Sequence, residues 1–203
     1  MRKGILFVIT APSGAGKTTI IRKVMKSIDS LGFSVSYTTR EKRRGEVGGK
    51  DYRFVNLKTF RRVRDAGGFL EWATIFGDYY GTPVREVSDA LKKGMDIILD
   101  IDVQGAAQVR RKRKNAVFVF IMPPDYKTLK SRLEKRKSES REKIKTRMEA
   151  ARKDVKEFSK FDYIIVNDDL KDAVRTLKGI ILAERARMKM CRQAARKIAA
   201  TFP

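Results

Sequence analysis

Runs of consecutive apolar residues alternate along this chain with segments whose apolar residues recur every three or four positions. The runs are Ile5–Ile9, Met95–Leu99, Val117–Met122 and Tyr163–Val166, with Phe33–Ser36 as a shorter candidate. Because both faces of these runs are apolar, they predict parallel strands covered by helices on both sides. The helical spacing is clearest at Leu170, Ala173, Val174, Leu177, Ile180 and Ile181. The pattern predicts an α/β fold, a three-layer sandwich around a parallel sheet.

Two segments interrupt this alternation. Residues 37–82 are rich in Gly, Tyr, Arg and Thr and are too numerous for a simple crossover between strands. We interpret them as an inserted subdomain, with strand-like pieces at Tyr52–Val55 and Phe69–Ala73 and a helix around Leu57–Ala66. The second segment, residues 130–156, carries 12 Lys or Arg against 5 Asp or Glu. Its apolar residues are sparse, so we expect a mobile or solvent-facing helical pair there.

A chain of 203 residues fits one domain with a substantial core. Between the two interrupting segments, Pro83 fits the first turn of a helix, with Thr82 as its cap. We predict a single domain over residues 1–203 whose core is interrupted by an insertion and by a helical lid. The expected bounds are 1–36, 83–129 and 157–203 for the core, 37–82 for the insertion and 130–156 for the lid.

The sequence A-P-S-G-A-G-K-T, residues 11–18, carries the most specific signal for chemistry. It follows the first apolar run and precedes a helical pattern, which is the context of a phosphate-binding loop. Gly14 and Gly16 let backbone N–H groups turn toward phosphate oxygens at the positive end of the new helix. Lys17 is expected to reach the β- and γ-phosphates, and the Thr18 hydroxyl to bind Mg²⁺. Although an alanine replaces the usual first glycine, the segment predicts a nucleoside triphosphate as ligand.

The chain contains no histidine and one cysteine, Cys191. The lack of histidine excludes Ser-His and Cys-His nucleophile systems, histidine zinc sites and imidazole acid–base catalysis. Phosphoryl transfer needs none of these groups, because positioning and charge neutralisation perform most of its catalysis.

A single cysteine excludes an internal disulfide and fits a reducing compartment, so we expect a cytoplasmic protein. The first apolar run is too short for a signal peptide or a membrane span, and we expect no membrane partner.

The formal net charge is +23. Basic residues are dispersed along the chain, and the dense run Arg110–Lys114 fits the C-terminal end of a helix. The ligands that the phosphate loop indicates are themselves polyanions. We therefore expect weak, salt-sensitive attraction to nucleic acids without specific binding. No motif indicates an oligomeric state.

Several ordered stretches add to the phosphate loop. They are S-V-S-Y-T-T-R (34–40), R-R-G-E-V-G-G-K-D-Y (43–52), F-L-E-W-A (69–73), G-D-Y-Y-G-T (77–82), I-L-D-I-D (98–102) with Q-G (104–105), and I-V-N-D-D (165–169). Together they resemble the guanylate kinase family from about Gly4 to Met190. The resemblance implies a nucleoside monophosphate kinase that transfers a phosphoryl group in line from ATP to GMP or dGMP, with Mg²⁺ as cofactor.

The acceptor phosphate of such a reaction is itself the nucleophile, so it needs alignment and no catalytic base. Arg40 and Arg43 offer bidentate guanidinium contacts to a phosphate, and Tyr52 and Tyr80 offer hydroxyl donors. The resemblance implies that these four side chains bind the phosphate of GMP.

Guanine presents N1–H and N2–H₂ donors that one carboxylate can accept, whereas the N1 lone pair of adenine would repel it. The resemblance assigns this recognition to Glu71 and Asp102, with hydroxyl donors to O6 at Ser36 and Thr82. A salt bridge from Glu71 to an arginine is the structural alternative. Asp100 ends an apolar run and would order either the Mg²⁺ shell or an active-site arginine.

The catalytic residues implied by the resemblance are Lys17, Arg40, Arg132, Arg136 and Arg147. The last three belong to the lid and would reach the transferring group as water leaves. The implied ATP site comprises Ala11, Pro12, Ser13, Gly14, Ala15, Gly16, Lys17, Thr18 and Asn167. For Asn167, a turn before a helix capped by Asp168 or Asp169 explains the stretch equally well.

Two alternatives remain at this point. A non-catalytic guanylate-kinase-like module that binds phosphopeptides would typically have lost part of the phosphate loop or lid, and this chain retains Lys17, Thr18 and the lid arginines. A kinase for another nucleoside monophosphate would share the donor site and differ in base recognition.

Overall fold

A computed structural model describes residues 2–43, 45–135 and 141–203. The strands are β1 (Leu6–Thr10), β2 (Leu31–Phe33), β3 (Tyr37–Thr38), β4 (Arg53–Phe54), β5 (Phe69–Ile75), β6 (Asp78–Pro83), β7 (Asp96–Asp100), β8 (Val117–Met122) and β9 (Tyr163–Val166). The helices are α1 (Lys17–Met25), α2 (Leu57–Asp65), α3 (Val84–Lys92), α4 (Val103–Lys112), α5 (Tyr126–Glu134), α6 (Arg141–Lys156), α7 (Leu170–Ala186) and α8 (Met188–Ala199). A short 3₁₀ helix, Phe158–Lys160, precedes β9.

The central sheet has five parallel strands in the order β2-β7-β1-β8-β9. Residues of β1 alternate between its two faces: Phe7 and Ile9 pack with α1 and α7, whereas Leu6 and Val8 pack with α3 and α4. Burial on both faces is what the continuous apolar runs predicted, and the three-layer α/β sandwich is confirmed. The carboxyl ends of β1 and β7 lie side by side, so residues that follow them meet at one edge.

A second sheet, in the order β4-β3-β6-β5, is built from the residues between β2 and α3. Its long pair, β5 and β6, is antiparallel. Phe60 from α2 is fully buried against it, with ring centroids 4.7 Å from Phe69 and 5.4 Å from Tyr79. These aromatic contacts give the segment a small core of its own beside the central sheet.

The helices α5 and α6 pack on each other through a third apolar cluster. Leu129 and Leu133 from α5 are buried against Met148 and Ala151 from α6. The few apolar residues of this basic segment are thus sufficient to join the two helices.

Two local expectations differ from the structure, and a third, the cap of the helix after β9, agrees with it. The strand expected at Phe33–Ser36 is β2, which ends at Phe33 because its pairing with β7 extends only from Leu31 to Phe33. Thr82 does not cap α3: β6 continues through Pro83, which occupies the N-cap position, and the Thr82 hydroxyl bonds a carboxylate instead. The helix after β9 is α7, capped by Asp169, and α8 follows it.

None of the helices in the described parts of the chain combines the length and the apolar character needed to cross a bilayer.

Candidate active site

The phosphate loop, residues 11–16, connects β1 to α1 at the carboxyl edge of the central sheet. Its glycines have left-handed backbones, with φ of 93° at Gly14 and 91° at Gly16. A Cβ on Gly16 would lie 2.4 Å from Nδ2 of Asn167, so the turn requires glycine there. Ala11, where a glycine is usual, is 9 % exposed and belongs to the core cluster around β1. The core therefore accommodates its methyl group.

Lys17 and Thr18 open α1 and both contact Asp100, the last residue of β7. Lys17 Nζ lies 2.7 Å from Asp100 Oδ1 and donates to the carbonyl of Ile101 at 2.9 Å. The Thr18 hydroxyl donates to Asp100 Oδ2 at 3.3 Å. These contacts place the carboxylate beside the phosphate loop.

Arg40 follows β3 and is held by groups from three directions. Its Nη2 donates to Glu46 Oε1 at 2.7 Å and its Nε to the Tyr80 hydroxyl at 3.2 Å. Its guanidinium lies 5.5 Å from the ring centroid of Tyr52. Burial is the largest single influence and opposes the charge, but the bonds and charges of Glu46 and Tyr80 together outweigh it and raise the pKa of Arg40. The guanidinium is therefore a fixed, permanent cation beside two phenol hydroxyls.

Glu46 binds two of the predicted site residues, although the sequence analysis assigned no role to it. Besides its bond to Arg40, its Oε2 accepts from the backbone N–H of Arg43 at 2.8 Å. Burial alone would raise the pKa of Glu46, but these bonds and the nearby arginines lower it. Its place within the R-R-G-E stretch, three residues after Arg43, was the available signal.

Glu71 and Thr82 face each other across the β5–β6 pair. Glu71 is 3 % exposed and Thr82 is fully buried. The Thr82 hydroxyl donates to Glu71 Oε1 at 2.5 Å. Burial, with a smaller contribution from the negative charge of Asp102, raises the pKa of Glu71 to about 7. Within the described residues Glu71 forms no ion pair with an arginine.

Asp102 is the N-cap residue of α4. Gly105, in the first turn of α4, has no side chain, so the Glu71 carboxylate can lie close to this turn. Asp102 Oδ1 accepts from the Gly105 N–H at 2.8 Å, and its Oδ2 accepts from Gln104 at 3.2 Å. Burial raises the pKa of Asp102. A Cβ on Gly105 would lie 2.5 Å from Glu71 Oε2 and 3.3 Å from Asp102 Oδ1. The buried carboxylate of Glu71 and the half-buried carboxylate of Asp102 therefore both lie close to one glycine.

The raised pKa of Glu71 makes the protein without ligand less stable as pH increases. An unfolded glutamate ionises near its ordinary pKa of 4.5, whereas the folded one keeps its proton until about 7. Stability is therefore lost as pH rises between these values, by about 3 kcal/mol when both states are ionised. We expect Glu71→Gln to be as stable as the parent at pH 5 and more stable by this order at pH 8. Urea unfolding at both pH values measures the difference, and an equal difference at the two would contradict it.

Gly105→Ala should displace Glu71, because its methyl group would overlap a carboxylate fixed by Thr82. We expect a loss of about 1–2 kcal/mol in unfolding free energy. Gly179→Ala in α7 is the matched control, since its Cβ would meet nothing within 4 Å. That variant should gain about 0.5–1 kcal/mol from helix propensity. Equal effects of the two substitutions would exclude a special role for Gly105.

The lid arginines are placed differently from one another. Arg147 in α6 donates to the Ser13 hydroxyl of the phosphate loop at 3.4 Å, and its guanidinium lies 5.6 Å from the ring centroid of Phe76. Arg132 in α5 donates to the carbonyl of Asn167 at 3.0 Å. Arg136 lies outside the described residues.

Asn167, expected near an adenine, is 5 % exposed and supports the phosphate loop from behind. Its side-chain amide donates to the carbonyl of Ala15 at 2.6 Å. Because Arg132 binds the carbonyl of the same asparagine, α5, the segment after β9 and the phosphate loop form one hydrogen-bonded chain.

One cavity, of about 400 Å³, gathers most of these side chains. The site residues predicted from the sequence that line this cavity are Ala11, Pro12, Ser13, Gly14, Gly16, Lys17, Thr18, Ser36, Arg43, Tyr52, Glu71, Tyr80, Asp100, Asp102 and Arg147. Of the other described candidates, Ala15, Arg40, Thr82, Arg132 and Asn167 are not part of the lining.

Asp154 of α6 also lines this cavity and was not predicted. Burial, then the charge of Asp102, raises the pKa of Asp154 to about 6. It lies on the same helix face as Arg147 and Ala150, a spacing of three and four residues that could have indicated it. Among the described residues, no group of three or more acidic or cysteine side chains could hold a metal by itself.

Comparison with known proteins gives a consistent result. A family model described as "Guanylate kinase" matches residues 3–184. Guanylate kinase of Geobacter metallireducens is 46% identical over 186 residues, 92% of each chain, and that of Desulfotalea psychrophila is 49% identical over 190 residues, 93% of this chain and 94% of the relative. The crystal structure of guanylate kinase from Anaplasma phagocytophilum superposes with a TM-score of 0.80 at 32% identity, covering 93% of this chain and 90% of that one.

Proposed function

The chain belongs to the guanylate kinase family, and on this premise we propose that it transfers the γ-phosphoryl group of ATP to GMP, giving ADP and GDP. We include dGMP as an acceptor. One observation carries the proposal: the phosphate-loop Lys17 and the buried Glu71 line the same cavity of about 400 Å³. The loop that would bind the phosphate donor and the carboxylate that would recognise the base thus face the same cavity.

On the donor side, the loop amides and Lys17 would hold the ATP phosphates at the positive end of α1. The Thr18 hydroxyl and the Asp100 carboxylate supply two neighbouring hard oxygens, a donor set that fits Mg²⁺ completed by phosphates and water. Mg²⁺ bound there would neutralise charge on the β- and γ-phosphates. Lys17 remains within reach of the same phosphates, because Asp100 holds its ammonium at the loop.

On the acceptor side, Arg40, Arg43, Tyr52 and Tyr80 would bind the phosphate of GMP. The bonds of Arg40 to Glu46 and Tyr80 fix its guanidinium before substrate arrives, so less side-chain entropy is lost on binding. The phosphate dianion attacks directly, and the protein contributes alignment and positive charge, with no proton to remove.

Guanine would be recognised by Glu71 and Asp102, with Ser36 as a hydroxyl donor to O6. The ionised Glu71 accepts from N1–H and N2–H₂, and Thr82 holds its other side in place. Adenine would place a lone pair against the same carboxylate, which disfavours AMP.

Residues 130–156 would act as a lid that brings Arg147, Arg132 and Arg136 to the transferring phosphoryl group. The contact of Arg147 with Ser13 supports this, because it already joins α6 to the phosphate loop. Residues 37–82 would form the GMP-binding insertion of a single domain. The lone exposed Cys191 is in keeping with a cytoplasmic protein.

A coupled assay of ADP formation across GMP, dGMP, AMP, UMP and CMP tests this proposal. We expect GMP to exceed AMP by at least about 100-fold in kcat/KM, since a site built to pair polar groups rejects substrates that leave them unpaired. Omission of Mg²⁺ should abolish turnover. AMP or UMP matching GMP would overturn the assignment of Glu71, and nucleotide binding without turnover would indicate a non-catalytic module.

A further inference from the structure

A second cavity, of about 380 Å³, lies at the amino edge of the central sheet, the edge opposite the candidate active site. The first residues of β1 and β8, Leu6 and Val117, contribute to its apolar floor with Leu91 from α3 and Met190 from α8. Cavities of this size and apolar character accommodate small organic molecules.

The mouth of this cavity is cationic. Its charged lining consists of Lys3, Lys112, Arg113, Lys114, Lys189 and one carboxylate, Glu184. Glu184 is buried and already accepts hydrogen bonds from Tyr163 and Arg187. An anion entering the cavity would therefore meet five cationic side chains and one carboxylate that is already paired with Arg187.

Two of the five cations are engaged by the protein. Lys112 donates to the carbonyl of Leu70 at 2.7 Å, and Arg113 to the hydroxyl of Ser88 at 2.8 Å. Within the described parts of the chain, the ammonium groups of Lys3, Lys114 and Lys189 have neither an acidic nor a hydrogen-bonding partner. They come from three separate segments, before β1, after α4 and from α8, and the fold alone brings them to one mouth.

The helix α8 forms one wall of this cavity and lies beyond the family match, which ends at residue 184. Its first turn supplies Lys189 and Met190. No side chain caps its N-terminus, so the positive end of the helix dipole adds positive potential at the same place. The phosphoryl transfer proposed for the other edge of the sheet does not account for this arrangement.

We propose that this cavity is a second ligand site, which binds an organic phosphate with an apolar group and at least two negative charges. The apolar group would lie on Leu6, Leu91 and Met190, and the phosphates would contact Lys3, Lys114 and Lys189. The ligand would be held without reaction. This site is separate from the kinase site and does not depend on the function proposed for it.

The single cysteine of the chain provides a local reporter. Cys191 is exposed on α8, next to Met190, and can carry an environment-sensitive fluorophore. With ATP as the probe at physiological salt, we expect a saturable change in fluorescence. The double variant Lys114→Gln/Lys189→Gln should bind at least about tenfold more weakly, since it loses two charged contacts. The KM for ATP in the kinase assay should be unchanged.

The matched control replaces two exposed lysines far from this cavity, Lys58→Gln/Lys171→Gln, and removes the same net charge. If the affinity for ATP falls equally in both double variants, the fluorescence change reflects general attraction to a protein of net charge +23, and the proposed site is wrong. Inorganic tripolyphosphate is the second probe. Tripolyphosphate should bind more weakly than ATP, because it has no apolar group. Equal affinities for the two probes would show that the apolar residues of the cavity do not contact the ligand, which contradicts the proposal.

Discussion

Lys17→Ala is expected to lower kcat by at least about 10³-fold while leaving the fold intact. Lys17 is the cation at the phosphate loop, and its Nζ lies 2.7 Å from Asp100. It would stabilise the negative charge that develops between the β- and γ-phosphates during transfer. The methyl group of alanine cannot replace that charge. Steady-state kinetics with ATP and GMP measure the loss, and far-UV circular dichroism checks the fold.

The control for this variant is Lys23→Ala, an exposed lysine two turns further along α1. It removes the same charge from the same helix and should change kcat less than about twofold, because exposed charges contribute little. Retained turnover in Lys17→Ala, or an equal loss in Lys23→Ala, would contradict the role given to the loop.

Glu71→Gln is expected to lower kcat/KM for GMP by about 10³-fold. The amide keeps the shape of the carboxylate and still accepts from Thr82, but it presents N–H donors to the N1–H and N2–H₂ donors of guanine. Two charge-assisted hydrogen bonds are lost and donors are left facing donors. Glu86→Gln, an exposed glutamate on α3, is the control and should leave kcat/KM unchanged.

The same variant should change the pH dependence of GMP use. Since the pKa of Glu71 is raised to about 7 and only the ionised form accepts both guanine donors, kcat/KM should increase as pH rises from 6 to 8. In Glu71→Gln the part of this increase that is due to Glu71 should disappear. Any remaining pH dependence of kcat/KM should come from ionisation of the GMP phosphate near pH 6. Identical profiles for the two proteins would show that another group titrates.

Stability and recognition are therefore opposed at Glu71. The burial that makes this carboxylate selective for guanine also makes its ionisation costly before substrate is bound. The gain in stability expected for Glu71→Gln at pH 8 and its loss of GMP use have the same cause.

The phosphate loop could be predicted in full because all its parts are contiguous. Turn glycines, lysine and threonine lie within eight residues, and the strand and helix that orient them are read from the neighbouring apolar pattern. Glu46 and Asp154 were not assigned from the sequence, and their spacing from Arg43 and Arg147 was the only signal for them. Glu46 lies in a loop without periodicity, and Asp154 becomes part of the site only because α6 packs on α5 with that face toward the cavity.

Asn167 and Thr82 show the same limit. Asn167 supports the phosphate loop from 152 residues away, and the Thr82 hydroxyl bonds Glu71 instead of capping α3. Each side chain had several reasonable local partners, and the sequence offers no measure of which one the fold brings within 3 Å.

The sequence by itself determined the parallel α/β sandwich, the phosphate loop and, through ordered motifs, the family. These depend on local periodicity and on residues close together in the chain. The tertiary structure alone decided that Asp100 meets Lys17 and Thr18, that the carboxylates of Glu71 and Asp102 both lie close to Gly105, and that three lysines line a second cavity. Strand order, register and helix packing set those distances, because they bring together side chains from separate segments.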